Sequence, residues 1–347
     1  MKKHRLWKHS YHVVCNRLHK KVNRRKEVKE WLRITPLYDR GWGLSVAALT
    51  QALPKYDDKA PNDFRFLQNT KECSVFFNRI RKAGSSGIKR YRIDLSDVAH
   101  IDFASTMMLS AIGEELLDKG CSLSGNSPKR SECGRYLREA GFFNKLFDKN
   151  GRRFPSANGS EFITVERGQY VLTKEHYKAF RNLIKHIRLH LTGNQQGKRV
   201  YSTIIKEICA NSIEWSEAEK AQWTIGAKFE GDKVIIVILD LGKGILEKLY
   251  VDYWMHIKDL LSFKNDAEVL YGAFEQKYGS SAQEPNRNQG LPCIKAAYDE
   301  GHIKELKVVT NNSMIDFATS GQTLFSRHRA TFKGTLYSWC MDATCIQ

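Results

Sequence analysis

The sequence has no apolar run long enough to cross a membrane. Its longest uninterrupted aliphatic stretch is VIIVIL at 234–239, whereas a spanning helix needs about 20 apolar residues. No charged segment followed by an apolar one opens the chain, so the sequence indicates no secretory signal. Hydrophobic residues make up 41% of the 347 residues and charged residues 27%, which is the balance of a globular protein. We therefore expect a soluble, cytoplasmic protein without membrane contact.

Paired cysteines are also lacking. Eight cysteines are scattered between Cys15 and Cys345, and none belongs to a CxxC pair. This spacing excludes a zinc ribbon and indicates no disulfide framework. Reduced thiols, as expected in a cytoplasm, are the interpretation that fits.

The common nucleotide-binding motifs are absent as well. The stretch GNQQGKR at 193–199 has neither the spacing nor the Ser or Thr that a P-loop uses for magnesium. The stretch GKGILE at 242–247 lacks the third glycine of a dinucleotide fingerprint. If the chain binds a nucleotide, it does so by another route.

Positive charge is abundant and unevenly placed. The net charge is +18, and residues 1–33 carry twelve Lys or Arg against two Glu, a local balance of +10. Such a segment suits the phosphates of a nucleic acid or another acidic partner. A solvated basic helix that keeps the protein soluble explains the charge equally well, and the sequence does not decide between them.

The first half of the chain alternates strand and helix patterns. KRYRIDLS at 89–96 reads as a strand with Tyr91, Ile93 and Leu95 facing inward. DFASTMMLSAIGEELLDKG reads as a helix that Asp102 caps and Gly120 ends. Further helices are predicted at KECSVFFNRIRKAG and SECGRYLREAGFFNKLF, a short strand at CSLSG, a strand or short helix at 42–53 and a loop at 57–63. This alternation predicts an α/β layer.

Within this half, residues 65–148 resemble a STAS domain, the fold of anti-sigma-factor antagonists. RIDLSDVAHIDFASTMMLSAI and YLREAGFFNKLF carry the resemblance. The position of the serine that regulatory members phosphorylate holds Ala104, so we expect that phospho-switch to be absent. Ser105 is a displaced candidate, although a serine at a helix start is more often a cap. We divide the chain into a basic segment at 1–40, a STAS-like domain at 41–150, a linker at 151–174 and a second domain at 175–347.

Four segments of the second half carry polar residues or glycines that suit a binding site. In KEICANSIEW at 206–215, Glu207 and Asn211 share one helix face, which a solvated local pair would also explain. A buried strand in KVIIVILDLGKGI ends at Asp240. Glycines that let the backbone approach a ligand follow it at Gly242 and Gly244. The other two pieces are the helix opened by Gly290 in NRNQGLPCIKAAYDEG and the loop with Gly334 and Thr335 in ATFKGTLYSW.

All four pieces in this order resemble the GHKL ATPase superfamily over residues 175–341. Glu207 and Asn211 match its Glu-x-x-x-Asn helix, and Asp240, Gly242 and Gly244 match its Asp-x-Gly-x-Gly box. The later Gly-x-Gly-Leu box is matched in part, because Asn288 precedes Gly290 and Leu291 in place of its first glycine. The resemblance implies a Bergerat fold, an α/β sandwich with a mixed sheet on one side and helices on the other, and an α/β (α+β) class for the whole chain.

The resemblance also implies a role for each matched residue. Asn211 would coordinate Mg²⁺, Glu207 would activate water, and Asp240 would accept a hydrogen bond from adenine. The remaining ATP-binding positions would be Gly242, Gly244, Gly290, Leu291 and Thr335. Residues 246–289 would form a lid in which NDAEVLYGAFEQKYGSS reads as a capped helix followed by a loop with Lys277 and Arg287.

Three functions fit this reading. The expected one is a Mg-ATP-binding regulatory switch that hydrolyses ATP slowly and couples nucleotide state to a protein partner or to nucleic acid. An anti-sigma-type serine kinase acting on a separate STAS partner is the second. The third is a non-catalytic module that binds a nucleotide or nucleic acid. Closure of the lid on nucleotide-dependent homodimerisation is a further expectation from the superfamily.

Overall fold

The computed structural model describes most of the chain after the basic segment. The described residues are 57–140, 142, 162–169, 172–195, 200–214, 222–257, 265–275, 290–319, 321–325 and 331–346. The predictions for residues 1–56, for the 148–160 connection and for the lid segment 276–289 lie outside them. Among the described residues, no helix combines the length and the apolar character needed to span a membrane.

The N-terminal unit alternates strands and helices as predicted. Its elements are β1 (Asp58–Lys59), β2 (Asp63–Phe64), α1 (Thr70–Ser85), β3 (Arg90–Asp94), β4 (His100–Ile101), α2 (Phe103–Asp118), β5 (Ser122–Gly125) and α3 (Ser131–Glu139). Strands β1, β3 and β5 form a small parallel sheet, and β2 pairs with β4. Two short strands therefore occupy part of the segment predicted as a loop at 57–63.

Local signals in this unit are confirmed in detail. The side chains of Tyr91, Ile93 and Leu95 are buried, so β3 alternates as its pattern indicates. Asp102 caps α2 by accepting a hydrogen bond from the N–H of Ser105 at 2.7 Å. Gly120 follows the helix with φ +73°, a left-handed conformation that suits glycine.

The second half forms one seven-stranded sheet with helices around it. Its elements are β6 (Phe162–Gln169), α4 (Lys174–Thr192), α5 (Val200–Glu214), β7 (Gln222–Glu230), β8 (Lys233–Asp240), α6 (Ile245–Ile257), α7 (Asp266–Phe274), α8 (Gly290–Asp299), β9 (Lys304–Asn311), β10 (Ser313–Asp316), β11 (Gly321–Leu324), β12 (Phe332–Asp342) and α9 (Ala343–Ile346). The strand order is β11-β10-β9-β12-β8-β7-β6.

Every strand pairing in this large sheet is antiparallel, so the prediction of a mixed sheet is wrong for the described strands. The physical reason is connectivity. Two-residue and one-residue turns join β7 to β8 and β9 to β10, and such short connections only allow antiparallel neighbours. Strand β12 then inserts between β8 and β9, antiparallel to both.

The sheet is covered on both faces, whereas the sandwich implied by the resemblance has helices on one. Helices α4, α5, α6, α7 and α8 share a core with Ile236 and Ile238 on one face. The N-terminal unit shares a second core with Val237 and Leu239 on the other face. The apolar run VIIVIL alternates between these two cores, which explains why it shows no polar face.

Close contacts join the N-terminal unit to the sheet. The rings of Phe66 and Phe332 meet edge to face with centroids 5.4 Å apart. A Cβ on Gly226 of β7 would stand 2.6 Å from Sδ of Met107 and 3.0 Å from the ring of Phe103, so α2 packs closely on this strand. The N-terminal unit thus packs directly on the sheet that carries the candidate site.

Candidate functional site

A small cleft opens between α5 and the end of β8, where the sequence predicts the nucleotide. Eight residues line it: Asn211, Ser212, Asp240, Gly242, Lys243, Gly244, Thr335 and Tyr337. Five of these residues are sequence-predicted site residues. The antiparallel pairing of β8 with β12 sets Asp240 directly opposite Thr335, and so brings two distant pieces of the sequence together.

Asp240 is a buried carboxylate with few strong partners. Its Oδ1 accepts a hydrogen bond from the N–H of Gly242 at 2.8 Å. The hydroxyl of Ser212 lies 3.3 Å from Oδ2 and 3.0 Å from the carbonyl of Ile208, so its single proton serves two acceptors. Burial raises the pKa of Asp240 from 3.8 to about 6, although donors from Gly242, Ser212 and Thr335 lower it. The carboxylate therefore has spare capacity to accept a hydrogen bond.

Two glycines allow the backbone to close around Asp240. Gly334 has φ +136°, and a Cβ there would stand 2.1 Å from the carbonyl oxygen of Asp240. Gly244 has φ +87°, and a Cβ there would stand 2.5 Å from Oδ1 of Asn311. Neither position accepts a larger residue without moving the backbone. The geometry of the cleft itself thus requires glycine at positions 244 and 334.

Two residues that the sequence interpretation missed hold the loop after Asp240. The hydroxyl of Thr310 accepts a hydrogen bond from the N–H of Ile245 at 2.9 Å and lies 3.0 Å from the carbonyl of Gly334. Asn311 accepts from the N–H of Leu246 at 3.1 Å and donates to the carbonyl of Lys243 at 2.8 Å. The end of β9 therefore fixes the path of the loop.

Two polar groups of the cleft have no hydrogen-bond partner in the part of the chain that the structure describes. They are the buried side-chain N–H₂ of Asn211 and the buried hydroxyl of Tyr337. Burial raises the pKa of Tyr337 well above its usual value, and the charge of Asp240 adds to the effect. Unsatisfied buried polar atoms are few in proteins, and at a cleft they are groups that a ligand or water can satisfy.

Asn211 and Gly290 meet although 79 positions separate them in the sequence. A Cβ on Gly290 would stand 2.7 Å from Nδ2 of Asn211, which places the first residue of α8 against this amide. The first N–H groups of a helix have no partner within the helix and suit an anion. A predicted metal ligand and a predicted phosphate-binding helix start are therefore neighbours.

Glu207 and Leu291 lie near the cleft without lining it. Glu207 is half-buried on α5, one helical turn before Asn211. Burial raises the pKa of Cys293 on α8 most, and the negative charge of Glu207 raises it further. Glu207 therefore faces α8. The side chain of Leu291 is buried in the core below α8.

The described part of the predicted lid contains two well-packed helices. Leu246 and Leu249 of α6 are buried in the core, as are Val269, Leu270 and Phe274 of α7. Asn265 caps α7 with a capping box, which confirms the predicted capped helix. The loop that follows, with Lys277, Arg287 and Asn288, lies outside the described residues.

Ser105, the displaced phosphoacceptor candidate, is a structural residue. Its side chain is fully buried, and Oγ accepts a hydrogen bond from the N–H of Phe66 at 2.8 Å. The neighbouring Asp102 accepts from the N–H of Leu67 at 3.1 Å. This pair joins the start of α2 to the segment before α1.

The chain was compared with protein-family models, with curated proteins and with solved structures. None of the three comparisons gives a match.

Proposed function

We propose that the protein is a Mg-ATP-binding switch of the GHKL type that hydrolyses ATP slowly. The observation that carries the proposal is the buried Asp240 carboxylate, which has spare acceptor capacity and lies in a cleft closed by Gly242, Gly244 and Gly334. Asn211 lines the same cleft from the opposite wall. These groups come from α5, β8 and β12, so the cleft assembles separate pieces of the sequence.

The adenine amino group is the donor that this carboxylate suits. Burial disfavours the charged form of Asp240, and one more N–H donor would offset that cost. The glycine backbones beside this carboxylate would let a planar base approach, because no side chain projects from them. Thr335 lies beside Asp240 across the strand pair and supplies a hydroxyl at the same end of the cleft.

The phosphates would extend from this end toward Asn211 and Gly290. The amide oxygen of Asn211 is a hard donor of the kind that Mg²⁺ takes, and its N–H₂, which has no partner among the described residues, would donate to a phosphate oxygen. When bound, Mg²⁺ would neutralise phosphate charge. Glu207 would hold and deprotonate the attacking water from the next turn of the same helix.

The packing of the N-terminal unit supports a regulatory role. This unit covers the sheet face opposite the cleft, so a protein partner that binds it contacts the same sheet that carries Asp240. We propose such a partner as the receiver of the nucleotide signal. The basic segment at 1–33 is proposed as a contact for nucleic acid.

The proposal is tested by binding and product analysis with γ-labelled ATP. Asp240→Ala removes the acceptor, which typically costs about 1–3 kcal/mol, so ATP affinity should fall about tenfold or more. Asp299→Ala is the matched control, because Asp299 pairs with Lys295 on the exposed side of α8. Labelled inorganic phosphate as product supports the ATPase, whereas labelled protein indicates a kinase. Equal ATP affinity in parental and Asp240→Ala protein would refute base recognition by Asp240.

A further inference from the structure

Arg81 connects the N-terminal unit to both loops of the cleft. Its Nη2 donates to the carbonyl of Leu241 at 2.7 Å, and its Nη1 donates to the carbonyl of Lys333 at 2.6 Å. Leu241 follows Asp240 directly, and Lys333 precedes Gly334. One guanidinium therefore bridges the two backbone segments that form the base end of the cleft.

Glu115 of α2 holds this guanidinium in place. Its two carboxylate oxygens accept from Nε of Arg81 at 2.7 Å and from Nη2 at 3.1 Å, a bidentate pair. Lys119 donates to the same carboxylate at 2.7 Å. Burial by itself raises the pKa of Glu115, but these donors outweigh it and hold the pKa below its usual value. The side chains of Arg81 and Glu115 are only 14% and 15% exposed, so water competes little with the pair.

Arg81 approaches from the face of the sheet opposite the cleft. Its helix α1 belongs to the core that contains Leu239 and Leu336, whereas Asp240 and Thr335 continue the other face of the same strands. A ligand in the cleft would therefore meet the loops that Arg81 holds and not its guanidinium. Besides this backbone contact, the charge of Arg81 lowers the pKa of Asp240, so only a substitution that keeps the charge tests the backbone contact alone.

The shape of the guanidinium suits this task. Four hydrogen bonds leave Arg81 toward three acceptor groups, and a planar fork fixes their directions together. A lysine carries one ammonium group, which cannot reach three acceptors in these directions. Thr310 also hydrogen-bonds to both loops, but it belongs to the sheet itself, whereas Arg81 is a contact from the N-terminal unit.

We propose that Arg81, oriented by Glu115, is a positioning residue that sets the distance between the Leu241 and Lys333 loops, and so makes nucleotide affinity depend on the N-terminal unit. This inference rests on the proposed function, because it names the regulation of the same site. It also predicts that loss of Arg81 speeds amide hydrogen exchange in the two loops, which is measurable without nucleotide.

The test compares Arg81→Lys with Arg79→Lys in the full chain. Both changes are on α1 and keep the charge, but Arg79 is 53% exposed and pairs with Asp58, away from the two loops. Calorimetry with Mg-ADP should show about a three- to tenfold loss of affinity in Arg81→Lys, as expected for lost hydrogen bonds, and none in Arg79→Lys. Glu115→Gln should give a smaller loss. The double variant Arg81→Lys/Glu115→Gln should bind like Arg81→Lys alone, because Glu115 acts through Arg81.

Amide hydrogen exchange of the nucleotide-free proteins is the second measurement. Exchange at 241–246 and 333–335 should increase in Arg81→Lys relative to Arg79→Lys, while exchange within β7 stays unchanged. If the parental protein binds no nucleotide, the proposed function fails, and the loop exchange still decides whether Arg81 positions the loops. Unchanged loop exchange, or Mg-ADP affinity equal to that of Arg79→Lys, would overturn the inference. An Arg81→Lys protein that loses all exchange protection would also overturn it, since its role would then be structural.

Discussion

The backbone of Gly290 packs against the side-chain amide of Asn211. A Cβ built on Gly290 would lie 2.7 Å from Nδ2 and 3.0 Å from Oδ1 of that amide. The contact joins the start of α8 to α5, and a Cβ at this position would push aside the amide of a residue proposed to hold magnesium. A change at Gly290 therefore tests the amide without removing it.

Gly290→Ala should displace the Asn211 amide and lower Mg-ATP affinity about three- to tenfold. Its effect on stability should be small, because the Asn211 side chain can rotate away from the new methyl group. Alanine also favours a helix by up to about 1 kcal/mol over glycine. Calorimetry and a thermal melt of both proteins measure the two effects. Ala296→Gly, an exposed change on the same helix, is the stability control. Unchanged Mg-ATP affinity in Gly290→Ala would mean that the amide does not contact the ligand.

Glu207→Ala and Asn211→Ala should give different defects, although the residues are four positions apart. Without Glu207 the protein should still bind ATP, while phosphate release falls by about two to four orders of magnitude. Without Asn211 both Mg-ATP affinity and phosphate release should fall. Gel filtration with ATP checks whether Glu207→Ala accumulates as a dimer.

A thermal melt accompanies both variants, since neither side chain belongs to the buried core. Hydrolysis by Glu207→Ala at the parental rate would show that another group activates the water. Unfolding of both variants would show that the pair has a structural role.

The stability of the ligand-free protein should depend on the ionisation of Asp240. Its pKa is about 6 in the folded protein and 3.8 ordinarily, so the fold favours the protonated form. The stabilisation that the fold gains from protonated Asp240 is fully present below pH 3.8, and it is lost as the pH rises through about 6. Relative to Asp240→Asn, the parental free energy of unfolding should drop by on the order of 2 to 3 kcal/mol between these limits.

Urea titrations of both proteins across this range measure the difference. Other titrating groups are common to both proteins and cancel. A difference that stays constant between pH 4 and pH 7 would mean that Asp240 is ionised throughout.

Deletion of residues 1–33 should weaken binding to nucleic acid and flatten its salt dependence. The segment carries twelve basic residues, and each phosphate contact releases counterions that steepen the salt slope. Fluorescence anisotropy with a labelled duplex at several salt concentrations measures both. Parental protein without salt-sensitive binding would leave the segment as a solvated basic helix.

Local patterns predicted most elements of the N-terminal unit because their causes are local. The alternation at Tyr91, Ile93 and Leu95 and the cap at Asp102 depend on residues a few positions apart, and both are confirmed. The apolar run before Asp240 likewise predicted a buried strand that ends at this residue, and β8 does end there. The mixed sheet was wrong because strand order depends on where β12 inserts, which no local pattern records.

The missed site residues depend on tertiary contacts in the same way. Thr310 and Asn311 belong to none of the motifs found in the sequence, and their role appears only when β9 lies beside the loop after Asp240. Arg81 reads as one charge of an amphipathic helix, and its acceptors are 160 and 252 positions away. A positive φ at Asn311 could not be foreseen from its neighbours.

The double-sided sheet limits how the chain can be divided. Val237, Leu239, Val309, Phe332 and Leu336 are covered only because the N-terminal unit packs over them. A fragment that starts at residue 162 would expose this apolar surface to water, and exposed apolar patches promote aggregation. The half that carries the candidate site therefore cannot be separated from the rest of the chain, and it should stay soluble only when residues 57–140 are supplied with it, in the same chain or as a separate one.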